Sequence, residues 1–215
     1  MFDTLISNAP YLLEGALVTA IFAISAVSAG TFLGIVLGVL SAILPRPFKW
    51  MISIYVFVIR GIPVLVLMFL GYYSLPGLGF RVDPYYAVSG ALVIYTAAFI
   101  TEITRGAIRN VAEGQVNAAK SIGMRQLQIL QFVVLPQAIR SSVPPILNNS
   151  VIMIKQSSYA SVVGVWELTY AAREIVERTL APFEIFPGVM ALYFVIAFPL
   201  AMLAGHLEKR FKYEH

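Results

Sequence analysis

LLEGALVTAIFAISAVSAGTFLGIVLGVLSAIL, residues 12–44, carries a single charge, Glu14, in 33 positions. A helix crosses ~30 Å of hydrocarbon with about 20 mostly apolar residues, so this stretch alone is long enough to span a bilayer. Four further segments qualify: about 50–75, where Arg60 is the only charge, about 84–104, with Glu102 near its end, about 139–165, the least apolar, and about 182–207. Composition agrees. Apolar residues make up 59% of the 215 and charged residues 12%, about half the ~25% charge of a soluble domain. So few charges cannot cover a water-facing surface, and lipid supplies the second solvent. The expectation is an all-α integral membrane protein, one domain over 1–215 with about five transmembrane helices. Asp3 precedes the first apolar run and no Lys or Arg does, so a permanent span is expected there rather than a cleaved signal peptide.

The same composition excludes several functions. With no cysteine there is no disulfide framework and no thiolate metal site, and the only imidazoles are His206 and His215. No metal centre is expected. No G-x-x-x-x-G-K-[ST] phosphate loop occurs, so the chain is not expected to hydrolyse ATP itself. No serine, histidine and acid converge to suggest catalytic residues.

Loop charges set the orientation. Arg46, Lys49, Arg105, Arg109, Lys120, Arg125, Arg140, Lys209, Arg210 and Lys212 fall on one side of a five-span chain, and only Arg81, Arg173 and Arg178 on the other. The basic side faces the cytoplasm, which puts the N-terminus outside and the C-terminus inside. The net charge of +4 is this asymmetry, and no nucleic-acid partner is inferred from it.

Three ionisable residues remain within the spans. Arg60 lies about eleven residues into its segment, near mid-depth at ~1.5 Å per residue. Lys155 is also deep, and Glu102 lies near the cytoplasmic edge, one turn from Arg105, as an interfacial pair. Arg60 precedes Gly61-Ile62-Pro63, where proline must bend or open the helix. Broken backbone beside a mid-depth charge is a way to build a substrate site; the alternative is a kink with a buried pair that only fixes packing. On the fourth segment Asn148, Ile152, Lys155 and Tyr159 share one helical face, flanked by Asn149, Gln156, Ser157 and Ser158. That stripe reads as helix–helix glue or as a wet path, with Lys155 favouring the path. The candidate substrate-path residues are Arg60, Gly61, Pro63, Asn148, Lys155, Gln156, Ser157 and Ser158.

Between the third and fourth segments runs Asn117-Ala118-Ala119-Lys120-Ser121-Ile122-Gly123, then an apolar stretch and Leu135-Pro136. It reads as a short helix with a small-residue face, ended by Gly123. The order and spacing resemble the cytoplasmic loop signature of ABC importer permeases, E-A-A-x-x-x-G…L-P. Arg60-Gly61-Ile62-Pro63, Glu102-Ile103-Thr104-Arg105-Gly106, Leu135-Pro136-Gln137-Ala138-Ile139-Arg140, Pro144-Pro145, Asn148 and Glu167-Leu168 extend the resemblance across nearly the whole chain. They look like the polar amino-acid branch, that of histidine and glutamine permeases.

That resemblance implies a type I importer permease in the bacterial cytoplasmic (inner) membrane. Its partners would be a second permease subunit, identical or different, two ATP-binding-cassette ATPase subunits, and an extracytoplasmic solute-binding protein. ATP and magnesium would belong to the ATPases, with no cofactor in this chain. Asn117, Ala118, Ala119 and Gly123 would form the coupling helix that docks on an ATPase. Two positions depart from the pattern: Asn117 stands where a Glu is usual, and Gln156 where an Asp is usual. Without that second carboxylate, Arg60 and Lys155 suit a negative or zwitterionic solute better than a cation. The competing reading is an ion- or proton-coupled secondary carrier, which usually shows internal repeats and mid-membrane acids; neither is found.

Overall fold

The computed structural model describes residues 3–212, and every regular element in them is helical. His215 lies outside them. A short helix α1 (Asp3–Ser7) leads into α2 (Ala9–Ile43), which is followed by α3 (Arg46–Gly61), α4 (Val64–Gly77) and α5 (Pro84–Arg109). Next come α6 (Glu113–Ser121), α7 (Gln126–Ile129), a π-helical turn over Leu130–Val134 and α8 (Leu135–Gln156). A 3-10 segment (Ser157–Val163), α9 (Leu168–Thr179) and α10 (Pro182–Lys212) complete the chain.

Three helices of the described residues, α2, α5 and α10, are long and apolar enough to cross a membrane alone. The second apolar segment is not one straight rod: α3 and α4 meet at 102°. Pro63 offers no amide hydrogen and biases the residue before it away from helix, and Ile62 is extended, at φ −106° and ψ 131°. In the fourth segment the α-helix stops at Gln156 and tightens into the 3-10 segment. The π turn before α8 has a similar cause. Pro136 cannot donate to the carbonyl one turn back, so the helix widens to satisfy its remaining groups.

Helix α5 is the hub. It packs against α2, α3, α4 and α8, and starts cleanly because Asp83 accepts a 2.8 Å hydrogen bond from the Tyr85 amide with Pro84 in the first turn. Its closest partner is α2, through a ladder of glycines. A Cβ placed on Gly30, Gly34 or Gly38 would come within 2.6, 2.6 and 2.5 Å of Thr96, Ile100 and Thr104 respectively. Small residues at a four-residue spacing let two backbones meet, the means by which helices associate in lipid, where no hydrophobic drive exists between them. The ladder also sets direction. Contacts advance together along both chains, so α2 and α5 run parallel, and the intervening bent pair α3–α4 must carry the chain back.

The main core joins Phe22, Val27, Met68, Leu92, Met153 and Val163 from α2, α4, α5, α8 and the 3-10 segment. A second cluster, with Leu12, Leu168, Ile175 and Ile185, fastens α9 between the start of α2 and α10. A third, of Ala119, Ile129 and Val134 with Ile108, Val116 and Met124 around them, consolidates the loop before α8.

Candidate functional site

Arg60 ends α3 at the edge of the break. Its guanidinium lies 3.9 Å from Glu102 of α5 and 5.2 Å from the Phe99 ring centroid. Glu102 is held far more tightly by Arg105, which also donates to Ser53 Oγ at 2.9 Å. One carboxylate therefore faces two guanidiniums, and Arg105 claims most of it. Arg60 keeps spare charge and stays 43% exposed at its side chain. Tyr95, packed near Phe99 at 4.9 Å between centroids, sits in the main core with Leu67 of α4 and Val163 of the 3-10 segment. It links the broken second segment to the 3-10 segment. Gly61 is open, since a Cβ there would meet nothing within 4 Å, and Pro63 begins the turn into α4.

The fourth-segment residues do not all point one way. Lys155 and Asn148 are exposed. Gln156 is half-buried, and its side-chain oxygen has no hydrogen-bond partner; the buried Asn149 likewise leaves its amide nitrogen unpartnered. Ser157 is fully buried and donates to the Ile154 carbonyl at 2.6 Å. Ser158 donates to the Lys155 carbonyl at 2.8 Å. These two serines are spent on their own helix, so within this chain Lys155 and Asn148 are the open members of the set. Arg60 and Lys155 make no direct contact. Each precedes a helix irregularity, one a 102° bend and the other a switch to 3-10 geometry.

In the loop, α6 closes as its sequence requires. Gly123 has φ +80°; its amide donates to the Lys120 carbonyl at 2.9 Å and the Met124 amide to the Ala119 carbonyl at 3.1 Å. That pair of bonds, with Met124 packed on Ala119, is a Schellman ending. The two alanines part company. Ala119 is only 4% exposed and packs into the loop's own core, whereas Asn117 and Ala118 are exposed and Ile122 is 79% exposed.

Glu167 is the residue whose weight the linear order hides. It is 1% exposed and joins three helices. Oε2 accepts from Thr19 of α2 at 3.0 Å and from Tyr193 of α10 at 2.7 Å, while Oε1 accepts from the Tyr170 amide at 3.0 Å as the N-cap of α9. The Leu168 amide in turn donates to Thr19 Oγ1 at 2.9 Å. Burial pushes its carboxyl above the ordinary carboxylate value, and the hydroxyl and amide donors pull the other way.

The chain is thus a helical membrane protein with a broken span, a charge beside the break and a loop packed on its own small core. Residues 30–213 match the family described as binding-protein-dependent transport system inner membrane component, and the chain belongs to that family. It is a permease subunit of an ABC importer, and the match disfavours a gradient-coupled carrier. The chain is 35% identical to the probable glutamine ABC transporter permease protein GlnM of Bacillus subtilis, covering 96% of this chain and 95% of that one. It is 32% identical to the glutamine transport system permease protein GlnP of Escherichia coli, covering 94% of each. A crystal structure of an amino acid ABC transporter with histidines superposes with a TM-score of 0.91 at 32% identity, covering 98% of both chains. Such permeases are not themselves enzymes; they work in membrane complexes with an ATPase, to which the ATP and magnesium belong.

Proposed function

We propose that this chain, paired with a second permease subunit, forms the path of a polar amino acid across the bacterial inner membrane. Two ATPase subunits would drive it and an extracytoplasmic binding protein would load it. The observation that carries the substrate class is Arg60: half-exposed, at a helix break, with a carboxylate partner already committed to Arg105. Its spare charge suits the α-carboxylate of a zwitterion, and Glu102 lies within reach of an ammonium. Relatives named for glutamine support the same class. Gly61, Pro63, Asn148, Lys155, Gln156, Ser157 and Ser158 belong to this proposed path, the last two by shaping its wall.

The five-span topology, N-terminus outside and C-terminus inside, is part of the proposal. The parallel run of α2 and α5 supports it, because it demands one return crossing between them. Replacing Arg60 with Met removes the charge and keeps the length, and Glu102 keeps Arg105. The complex should therefore assemble, while ATP-driven uptake of the cognate amino acid into vesicles falls by at least about tenfold, roughly 1.4 kcal/mol of lost stabilisation. Uptake at the parental rate would reduce Arg60 to a packing element.

Coupling is proposed to run through α6, with Asn117 and Ala118 on the docking surface and Gly123 and Ala119 maintaining its shape. Ala118→Arg should leave the permease folded yet separate ATP hydrolysis from uptake, or shed the ATPase during purification. Full uptake and full ATPase yield in that variant would move the docking surface elsewhere. Ala119→Arg is expected to act differently, by forcing a charge into the cluster with Ile129 and Val134 and unfolding the loop.

A further inference from the structure

Behind α6, on the side away from Asn117 and Ala118, lies a cavity of about 380 Å³. Its walls include Ala42 and Ile43 from the last turn of α2, Ile108 from the last turn of α5, and Leu127, Ile129 and Leu130 from α7 and the π turn; Gln126 is the one polar residue that lines it. The volume falls in the ordinary range for small-ligand sites. The widened turn supplies one wall, and π turns recur at functional positions.

The rim is basic. Lys49 reaches back to the carbonyl of Ala42, itself a wall residue, at 3.2 Å. Arg46 follows the end of α2, Arg109 adjoins Ile108, and Arg125 adjoins Gln126; across 42–49 and 104–134 the only acid is Glu113. Both spanning helices end here, so the cavity opens at the level of lipid headgroups. An apolar recess with Lys49 at its edge and basic flanking sequence at that level matches one class of molecule, an anionic phospholipid with an acyl chain in the recess and its phosphate near the bases. A side chain of the ATPase is the less suitable occupant, because Val116, which lines the cavity, is on the opposite face of α6 from the exposed Ala118.

We infer that the cavity between the ends of α2 and α5 and the α7–π segment is a binding site for an anionic phospholipid. Only the choice of leaflet rests on the proposed orientation. The experiment uses the whole permease–ATPase complex in nanodiscs of phosphatidylglycerol and phosphatidylcholine, with bound lipid counted by native mass spectrometry. Leu127→Trp fills the recess from an exposed position, and at least tenfold less phosphatidylglycerol should be retained. The double variant Arg46→Gln, Lys49→Gln should keep bound lipid and lose the preference for phosphatidylglycerol. Undiminished phosphatidylglycerol on Leu127→Trp overturns the assignment, as does loss of the ATPase from it with phosphatidylglycerol still bound. Should the tryptophan variant fail to assemble, the double variant decides, and an unchanged preference there overturns the site. Neither result depends on transport, so failure of the substrate proposal would leave this test intact.

Discussion

Gly34→Ile is expected to abolish recovery of folded permease, and even Gly34→Ala is expected to lower its thermal stability. A Cβ at this position would lie 2.6 Å from the Ile100 Cβ and 2.7 Å from the Ala97 carbonyl oxygen. The second of these is backbone, which no rotamer change can move. Overpacking a core commonly costs about 1–3 kcal/mol when side chains can give way; here the two helix axes must separate. That separation reaches everything, since α5 also carries Glu102 and Phe99 and contacts α3, α4 and α8. Gly30 and Gly38 would open with it, because they are rungs of the same ladder. The measurement is the yield of monodisperse complex together with its midpoint of thermal inactivation. Gly90→Ala serves as the control, because a Cβ there meets nothing within 4 Å and alanine is the better helix former by about 1 kcal/mol. A Gly34→Ile complex recovered at normal yield and midpoint would mean that the ladder is not what joins α2 to α5.

The membrane class, the helix-only fold and the break at Gly61–Pro63 are legible in the sequence because each depends on local chemistry: apolar run length, missing charge and a proline. Gly123 is legible for the same reason, as a glycine is needed where a short helix turns left-handed. The glycine ladder is present in the sequence too, as Gly30-x-x-x-Gly34-x-x-x-Gly38, yet hydropathy treats glycine as neutral and passes over its spacing. What cannot be read is what depends on distant partners. Ala118 and Ala119 look alike in sequence, and only the later arrival of Ile129 and Val134 decides that Ala119 faces inward. Glu102 reads as the partner of its neighbour Arg105, which it is; its approach to Arg60 depends on α3 packing against α5. Glu167 looks like one more loop acid, because its partners Thr19 and Tyr193 lie far away on two other helices.

Glu167→Ala is the second large effect, and it separates a buried keystone from an ordinary loop charge. Truncation removes the acceptor of the Tyr170 amide, and loss of such an N-cap alone costs about 1 kcal/mol. It also leaves a cavity and strands buried donors, at about 1–3 kcal/mol for an unsatisfied group. Thr19 and Tyr193 recover part of this, since Thr19 can turn to the Gly15 carbonyl at 3.0 Å and Tyr193 can share with Thr169 at 2.8 Å. The net loss should be about 3 kcal/mol, with α9 released from α2 and α10. Because only residues 164–167 separate α9 from the 3-10 segment, the geometry beyond Lys155 loosens as well, and uptake should fall with stability. Glu167→Gln keeps the N-cap oxygen and the volume without a charge, so it should remain near the parent in both. Glu167→Leu fills the space but accepts nothing, and should resemble Ala. Thermal inactivation of the solubilised complex ranks the three: if Leu matches the parent, shape rather than hydrogen bonding holds α9 in place, and the carboxylate is not the tie between the three helices.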